Sequence, residues 1–554
     1  MNEKNLTWVD ILVTVILGLV FAAAPSYIEN GICKVTLGYV LSAFATFLFF
    51  LALAYFVRRF LNQYQWNHRG FLIKGNDIFE QIMTKKHAIL IIALIICAAW
   101  CIPILFLYPG TFINDTWGQL VEAISYWNGE YILTDHQPIF DTFLMAGLIV
   151  PVSNITGRWN EIVFLYVLVQ AFLTSLAFAW TLSYGYKKLN LGSRVAGLML
   201  LVYSFLPIFP AAVQTVSKDA LHSWIFVLFA LMYVELIRSK GEAIKGKKFL
   251  VAFVVICLLC CLTKKVGFYI VALSLLLCLL FQKNNKKYIL IPLFASILLM
   301  KGIMPVAMDA LQIEPGGKQE MFALPFQMTA RYVKEHGDDV TKEEYEILDK
   351  VLTMDTLADR YEPTNADPVK DYYQKAEDQY YVKYIGVWFK QGLRHPMSYI
   401  KAGLAMLSGW FSWSEYDPLM NSDWRSQQNT GLIPEWVLVR GFTQKTADAY
   451  QELYHYLYNI PFVRIFLSFG FYASLLPAFA VCTVFRKWKK QDVKYWMAIC
   501  PTMLALFFGC WLAPVSYQIE GKRYLYPVVY VMPLMLMWCL YIYKSNRIRP
   551  EGEV

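Results

Sequence analysis

Asp115 lies in Tyr108-Pro-Gly-Thr-Phe-Ile-Asn-Asp-Thr-Trp-Gly-Gln119, directly after a long apolar run, and Asp135-His136-Gln137-Pro138 follows it. A carboxylate or imidazole held beside a hydroxyl can take its proton as the oxygen attacks an electrophilic carbon. Asp115 is therefore the first candidate for a general base, with Asp135 and His136 as further catalytic candidates. Each has a plainer reading. Asp115 also suits the N-cap of a short amphipathic helix through Gln119, Leu120, Ala123 and Ile124, and Asp135 to Pro138 reads equally as a turn opening a new apolar segment.

Cations recur at similar boundaries. Lys218-Asp219 stands where one apolar run ends and the next begins, Lys264-Lys265 interrupts another pair of runs, and Lys522-Arg523-Tyr524 precedes the last one. A charge at a membrane boundary costs a few kcal/mol near the hydrocarbon, so a functional partner is the default expectation. An anionic phosphate would satisfy these groups, and Arg523 can hold one through two parallel hydrogen bonds. Ion pairing such as Lys218 with Asp219, snorkelling, and an aromatic belt role for Tyr524 are the structural alternatives. The seven histidines show no paired spacing; Asp115, Asp135 and His136 are the set that could gather around a divalent ion.

These residues need a scaffold, and the composition says which. The chain has 554 residues, 57% hydrophobic and only 16% charged, with apolar runs of membrane-crossing length along most of it. This is the composition of a polytopic all-α membrane protein. The net charge of +9 is gathered in short loops between the runs, so it marks topology and not a nucleic-acid surface. The eleven cysteines fall in or beside apolar runs, and Cys257, Cys260 and Cys261 read as packed thiols rather than ligands.

About 12 spans are expected, at 8–29, 35–57, 88–108, 161–184, 195–213, 221–238, 249–262, 266–281, 288–307, 462–485, 495–513 and 524–543. Three parts follow: a transmembrane module over 1–308 with an outer loop at 108–160, an extracytoplasmic helical region over 309–458, and C-terminal transmembrane helices over 459–554. The basic loops place both termini in the cytoplasm. The segments 139–153 and 396–413 would break this charge parity and are expected to be interfacial or re-entrant. The spacing over Lys342–Leu352 predicts a helix. Trp388, Trp410, Trp413 and Trp424 could stack on sugars, though such residues more often pack in a core or belt.

The order of these features resembles the GT-C superfamily of polytopic glycosyltransferases: an acid in an outer loop, a His-x-Pro corner, a Lys-Asp at an outer helix start, and Arg523-Tyr524 before the last helix. The further order Leu324-Pro-Phe-Gln327 with Arg331, Asp367-Pro-Val-Lys370 and His395-Pro-x-x-Tyr399 is similar to an uncharacterised bacterial GT-C-like family. The resemblance implies an inverting transfer of a sugar from a polyprenyl-phosphate carrier in the cell membrane to a glycan, glycolipid or protein hydroxyl of the cell envelope. In that reading Asp115 is the base, and Gln119, Lys218, Asp219, Lys264, Lys265, Arg331, Arg523 and Tyr524 bind substrate. Two features depart from the pattern. Two spans precede the loop-bearing helix, and Asn-Asp replaces an Asp-x-Asp doublet, which weakens metal dependence. A polymerase or ligase acting on pyrophosphate carriers, or a flippase, would share the lipid partner.

Overall fold

The computed structural model describes residues 6–63, 73–282, 284–414, 431–438, 443–485, 493–512 and 521–548. It is helical almost throughout. The helices to Ala310 are α1 (Trp8–Asn30), α2 (Leu37–Gln63), α3 (Ile73–Thr84), α4 (Ala88–Phe106), α5 (Asn114–Trp127), α6 (Ile139–Thr156) and α7 (Trp159–Lys187), then α8 (Gly192–Phe205), α9 (Ile208–Val213), α10 (Lys218–Arg238), α11 (Lys247–Thr263), α12 (Lys265–Phe281), α13 (Lys286–Ile297) and α14 (Met304–Ala310). Among the described residues nine helices are long and apolar enough to cross a membrane.

α10 is the central post. Ser217 caps it by accepting from the Ala220 N–H at 3.2 Å, and its length is buried against α7, α11, Val493–Leu506 and the last helix, Tyr526–Ile548. By contrast α2 turns most of its apolar surface outward, as a helix facing lipid does.

The spans differ from the sequence expectation in five places, two of them α11 and α12, which at 17 residues each are not among the nine. α6 is one continuous helix of 18 residues, and its length and apolarity qualify it as a crossing where 139–153 alone looked too short. Pro207 and Pro210 interrupt the expected span 195–213, leaving α8 with 14 residues and α9 with six. The expected span 462–485 bends by 65° between Pro461–Leu467 and Phe471–Val484.

Between α14 and the last spans lies a smaller helical layer with its own core, built from Phe326, Leu348, Val351, Leu352, Leu357, Tyr384 and Val387. It comprises α15 (Ala323–His336), α16 (Lys342–Leu352), α17 (Asp367–Lys370), α18 (Tyr381–Arg394) and α19 (Pro396–Leu407). α16 matches the expected helix, and Thr341 and Glu344 close a reciprocal cap at its start. The segment 396–413 is α19 with a short 3-10 extension, packed on α15. Trp410 is core, Trp388 packs on Tyr399 and Trp413 on Phe21, while Trp424 lies outside the described residues.

One small element does the positioning. β1 (Thr111–Phe112) pairs in parallel with β2 (Thr215–Val216), in the register Thr111 to Thr215 and Phe112 to Val216. Gln170 holds β2 from α7, donating to the carbonyls of Val213 at 2.7 Å and Thr215 at 3.0 Å. The strands approach this closely because of Gly110. Its φ is +118°, and a Cβ there would stand 2.9 Å from Val167 and 3.1 Å from the Gln214 carbonyl. The Tyr108-Pro109 peptide before it is cis.

Gly110→Ala is accordingly expected to lower stability by about 1–3 kcal/mol, from the combined backbone and overlap penalties. Gly147→Ala on α6, where a Cβ meets nothing within 4 Å, should not lower it and raises it by up to about 1 kcal/mol through helix propensity. Thermal unfolding of the two purified variants in detergent checks this, and equal melting temperatures would show that the strand pair tolerates separation.

Candidate functional site

The strand pair sets two helix starts side by side, since β1 feeds α5 and β2 feeds α10. Asp115 and Asp219 each occupy the first turn of their helix, where the exposed N–H groups favour negative charge. Thr116 ties the two together by donating to the Val216 carbonyl at 2.5 Å. The residue preceding α5 is Ile113, so Asp115 is not the cap. Its side chain turns into the site instead.

There it joins an alternating chain of charges. Lys218 Nζ lies 2.6 Å from Asp115 Oδ2, and Arg523 Nη2 lies 2.6 Å from the same oxygen. Arg523 Nε then reaches Asp219 Oδ2 at 3.0 Å, and Lys264 Nζ reaches Asp219 Oδ1 at 2.6 Å. Lys264 also stands over the Tyr524 ring at 4.5 Å. Asp219 is fully buried, whereas Asp115, 19% exposed, faces open space.

That space is a cavity of about 750 Å³. Asp115, Lys218, Lys264 and Arg523 form its polar floor, with Asn114, His136 and Gln137 beside them. Lys218 also donates to Gln137 Oε1. Val266, Tyr269, Phe508 and Leu512 form an apolar wall, of which Tyr269 and Leu512 are exposed. The helical layer supplies the roof through Lys318, Glu320, Met321, Asp367, Lys370 and Asp371. Lys370 is held at 2.8 Å from Glu320 and 2.9 Å from Asp367.

The same layer fixes the His136 corner. Backbone bonds join Asp135 N–H to the Glu314 carbonyl at 2.7 Å and Glu314 N–H to the Leu133 carbonyl at 2.9 Å. Lys265 pairs with Asp135 at 3.2 Å. Gly267 lets α11 and α12 meet beside Lys264 and Lys265: a Cβ there would fall 2.0 Å from the Cys260 carbonyl oxygen.

Electrostatics sort the carboxyls. Burial pushes Asp115 up, but Arg523 and Lys218, with help from His136, more than offset it and hold the group well below the usual carboxylate range. This pairing stabilises the fold above the ordinary Asp range, and the contribution is lost as pH falls through the depressed value. Burial raises Asp135 against the opposing Lys265, and burial lowers His136 against the opposing Glu320. Asp115 faces the Lys218 ammonium and the Arg523 guanidinium, and Asp135 faces the Lys265 ammonium.

The structure thus brings Asp115, His136, Lys218, Lys264, Lys265, Arg523 and Tyr524 to the cavity, with Asp135 and Asp219 directly behind the lining. Two expected substrate-binding residues are not among those lining the cavity. Gln119, one turn after Asp115 on α5, is buried and donates to Thr142 at 2.9 Å. Arg331 is remote, held by Glu335, the Gly31 carbonyl and Tyr361. Their helical positions made them look available, yet each is consumed in packing between elements.

Several residues escaped the sequence reading. The roof residues Lys318, Glu320 and Asp371 carried no spacing signal, because nothing local links them to Asp115. Asp141 is fully buried on α6, with neither carboxylate oxygen meeting a hydrogen-bond partner among the described residues, and lies within electrostatic range of Lys218, Asp219 and Lys264. An acid in an apolar segment was its signal. Glu122, on α5, is raised to about 7 by burial and then by the charge of Asp115.

The Glu122 shift has a definite sign. A carboxyl whose folded value lies above its unfolded value binds more protons when folded, so stability falls as pH rises from about 4.5 to about 7. Glu122→Gln should remove this component and flatten melting temperature against pH over that window. A profile unchanged by the substitution would place the titration elsewhere.

Comparison with known proteins follows from the whole chain. No curated protein and no solved structure matches it. The match that exists covers residues 3–552, nearly the full length, and on that basis the chain belongs to the Family of unknown function (DUF6020).

Proposed function

We propose that this protein is a membrane glycosyltransferase that moves a sugar from a polyprenyl-phosphate carrier to an acceptor hydroxyl with inversion. One observation carries the reading: a cavity whose floor is a buried chain of charges with an excess of cations and whose wall is apolar. A lipid-linked phosphate has both requirements. The chain holds three cations, Lys218, Lys264 and Arg523, against two carboxylates, Asp115 and Asp219, so its net charge of 3 − 2 = +1 matches a single phosphodiester. This favours a monophosphate carrier over a pyrophosphate one.

In this reading the isoprenoid lies along Tyr269, Phe508 and Leu512, and the phosphate competes with Asp115 for Lys218 and Arg523. Losing those partners raises the basicity of Asp115 as the donor seats. The acceptor oxygen attacks the anomeric carbon from the face opposite the phosphate, and the bond to the phosphate oxygen breaks with its electron pair. Asp115 takes the acceptor proton, and Lys218, Lys264 and Arg523 stabilise charge growing on the polyprenyl phosphate. Roof residues such as Glu320 and Lys370 face the side from which an acceptor enters. The basic loops then lie on the cytoplasmic side with both termini, and the cavity on the outer side.

The test is transfer of labelled sugar from synthetic polyprenyl-phosphate donors to envelope fractions by the purified protein in liposomes. Asp115→Asn is expected to lower kcat about 10²- to 10⁴-fold, and Arg523→Met roughly 10²- to 10³-fold. Folded variants with wild-type rates would remove these residues from the chemistry. Movement of the donor lipid between leaflets without any transfer would make the protein a transporter instead.

A further inference from the structure

Away from the cavity, the helical layer brings together two histidines that are 59 positions apart in the chain, His336 and His395. His336 ends α15, and His395 lies at the corner between α18 and α19, where Pro396 starts the next helix. Their rings stack in parallel, 3.7 Å between centroids and 7° between planes. Both face one carboxylate. His395 Nε2 is 2.8 Å from Asp339 Oδ2, and His336 Nδ1 is 4.0 Å from the same oxygen.

We infer that His336, Asp339 and His395 form a binding site for a first-row transition-metal dication of the zinc class. The three candidate ligand atoms lie within 4.8 Å of one another. A tetrahedral ion with bonds of about 2.0–2.1 Å sets its ligands roughly 3.4 Å apart, between the 2.8 and 4.0 Å seen from Asp339 to the two rings. A cation among them would turn at least one of the stacked rings, since each ligating nitrogen's lone pair lies in its ring plane, and draw His336 into the bonding that it now falls short of. Two imidazoles and one carboxylate select zinc-like ions over magnesium or calcium, which prefer oxygen ligands throughout.

The surroundings support the ligands. Arg394 donates to the Asp339 carbonyl at 2.7 Å, fixing that turn, and its own charge is balanced by Glu344 at 2.9 Å. Ser398 donates to Glu335 at 2.6 Å, joining α19 to α15 one residue before His336. Such outer contacts orient ligands before the ion arrives. All three side chains are 30% exposed or more, so the ion enters from solvent and its fourth position is water. Binding ties the end of α15 to the α18–α19 corner, which gives the ion a structural role in the layer that roofs the cavity.

The experiment is equilibrium dialysis of the full-length, tag-free protein in detergent against low-micromolar Zn²⁺, with bound zinc counted by elemental analysis. X-ray absorption is recorded on the zinc-loaded wild type. About one zinc per chain, lost in both His336→Asn and His395→Asn while elution in size-exclusion chromatography is unchanged, is the expected result. The absorption spectrum should show two imidazole ligands, a readout that does not depend on the variants folding. No zinc bound by the wild type, equal zinc in the folded variants, or a spectrum without imidazole scattering would overturn the assignment.

Discussion

The alternating chain Lys218, Asp115, Arg523, Asp219, Lys264 is the constraint around which the bundle is arranged. Taking five charges from water costs several kcal/mol each unless every one meets an opposite partner in good geometry. No single helix can supply that set. It takes the starts of α5 and α10, the break between α11 and α12, and the turn before the last helix, so these four places must converge. Removing one member leaves another buried and unpaired, which makes the chain a strong determinant of arrangement even where its net stabilisation is small.

Convergence depends on close backbone approach. Gly110 admits β1 against β2 and α7, and Gly267 admits α12 against α11. Both glycines stand within a few residues of the charges they help to position. The cavity gains its two-sided character from the same geometry: helix starts and breaks contribute charge at the floor, while the beginning of α12 and the Phe507–Leu512 continuation of the helix Val493–Leu506 contribute apolar side chains at the wall.

Much of this was legible in order along the chain. Charged pairs at the boundaries of apolar runs, Lys218-Asp219, Lys264-Lys265 and Arg523-Tyr524, stand out because hydrocarbon tolerates them poorly. The helix over Lys342–Leu352 was legible from its period. The differences share a cause. α6 looked too short because its polar end, Ser153 to Thr156, continues the helix without continuing the apolarity. Gln119 and Arg331 are polar residues near informative motifs, and periodicity cannot say whether such a residue points at a ligand or at Thr142, Gly31 and Tyr361.

The amino-acid sequence by itself determined a helical chain with many apolar segments and a small set of boundary charges, because hydropathy and helix-terminal chemistry act over a few residues. Pairing was beyond it. Which carboxylate faces which cation, that Asp115 shares Arg523 across 408 positions, and that His336 meets His395 were decided by tertiary structure. The reason is physical: an ion pair or a shared ligand is set by distances of a few ångströms in space, and chain separation carries almost no information about those distances once helices pack.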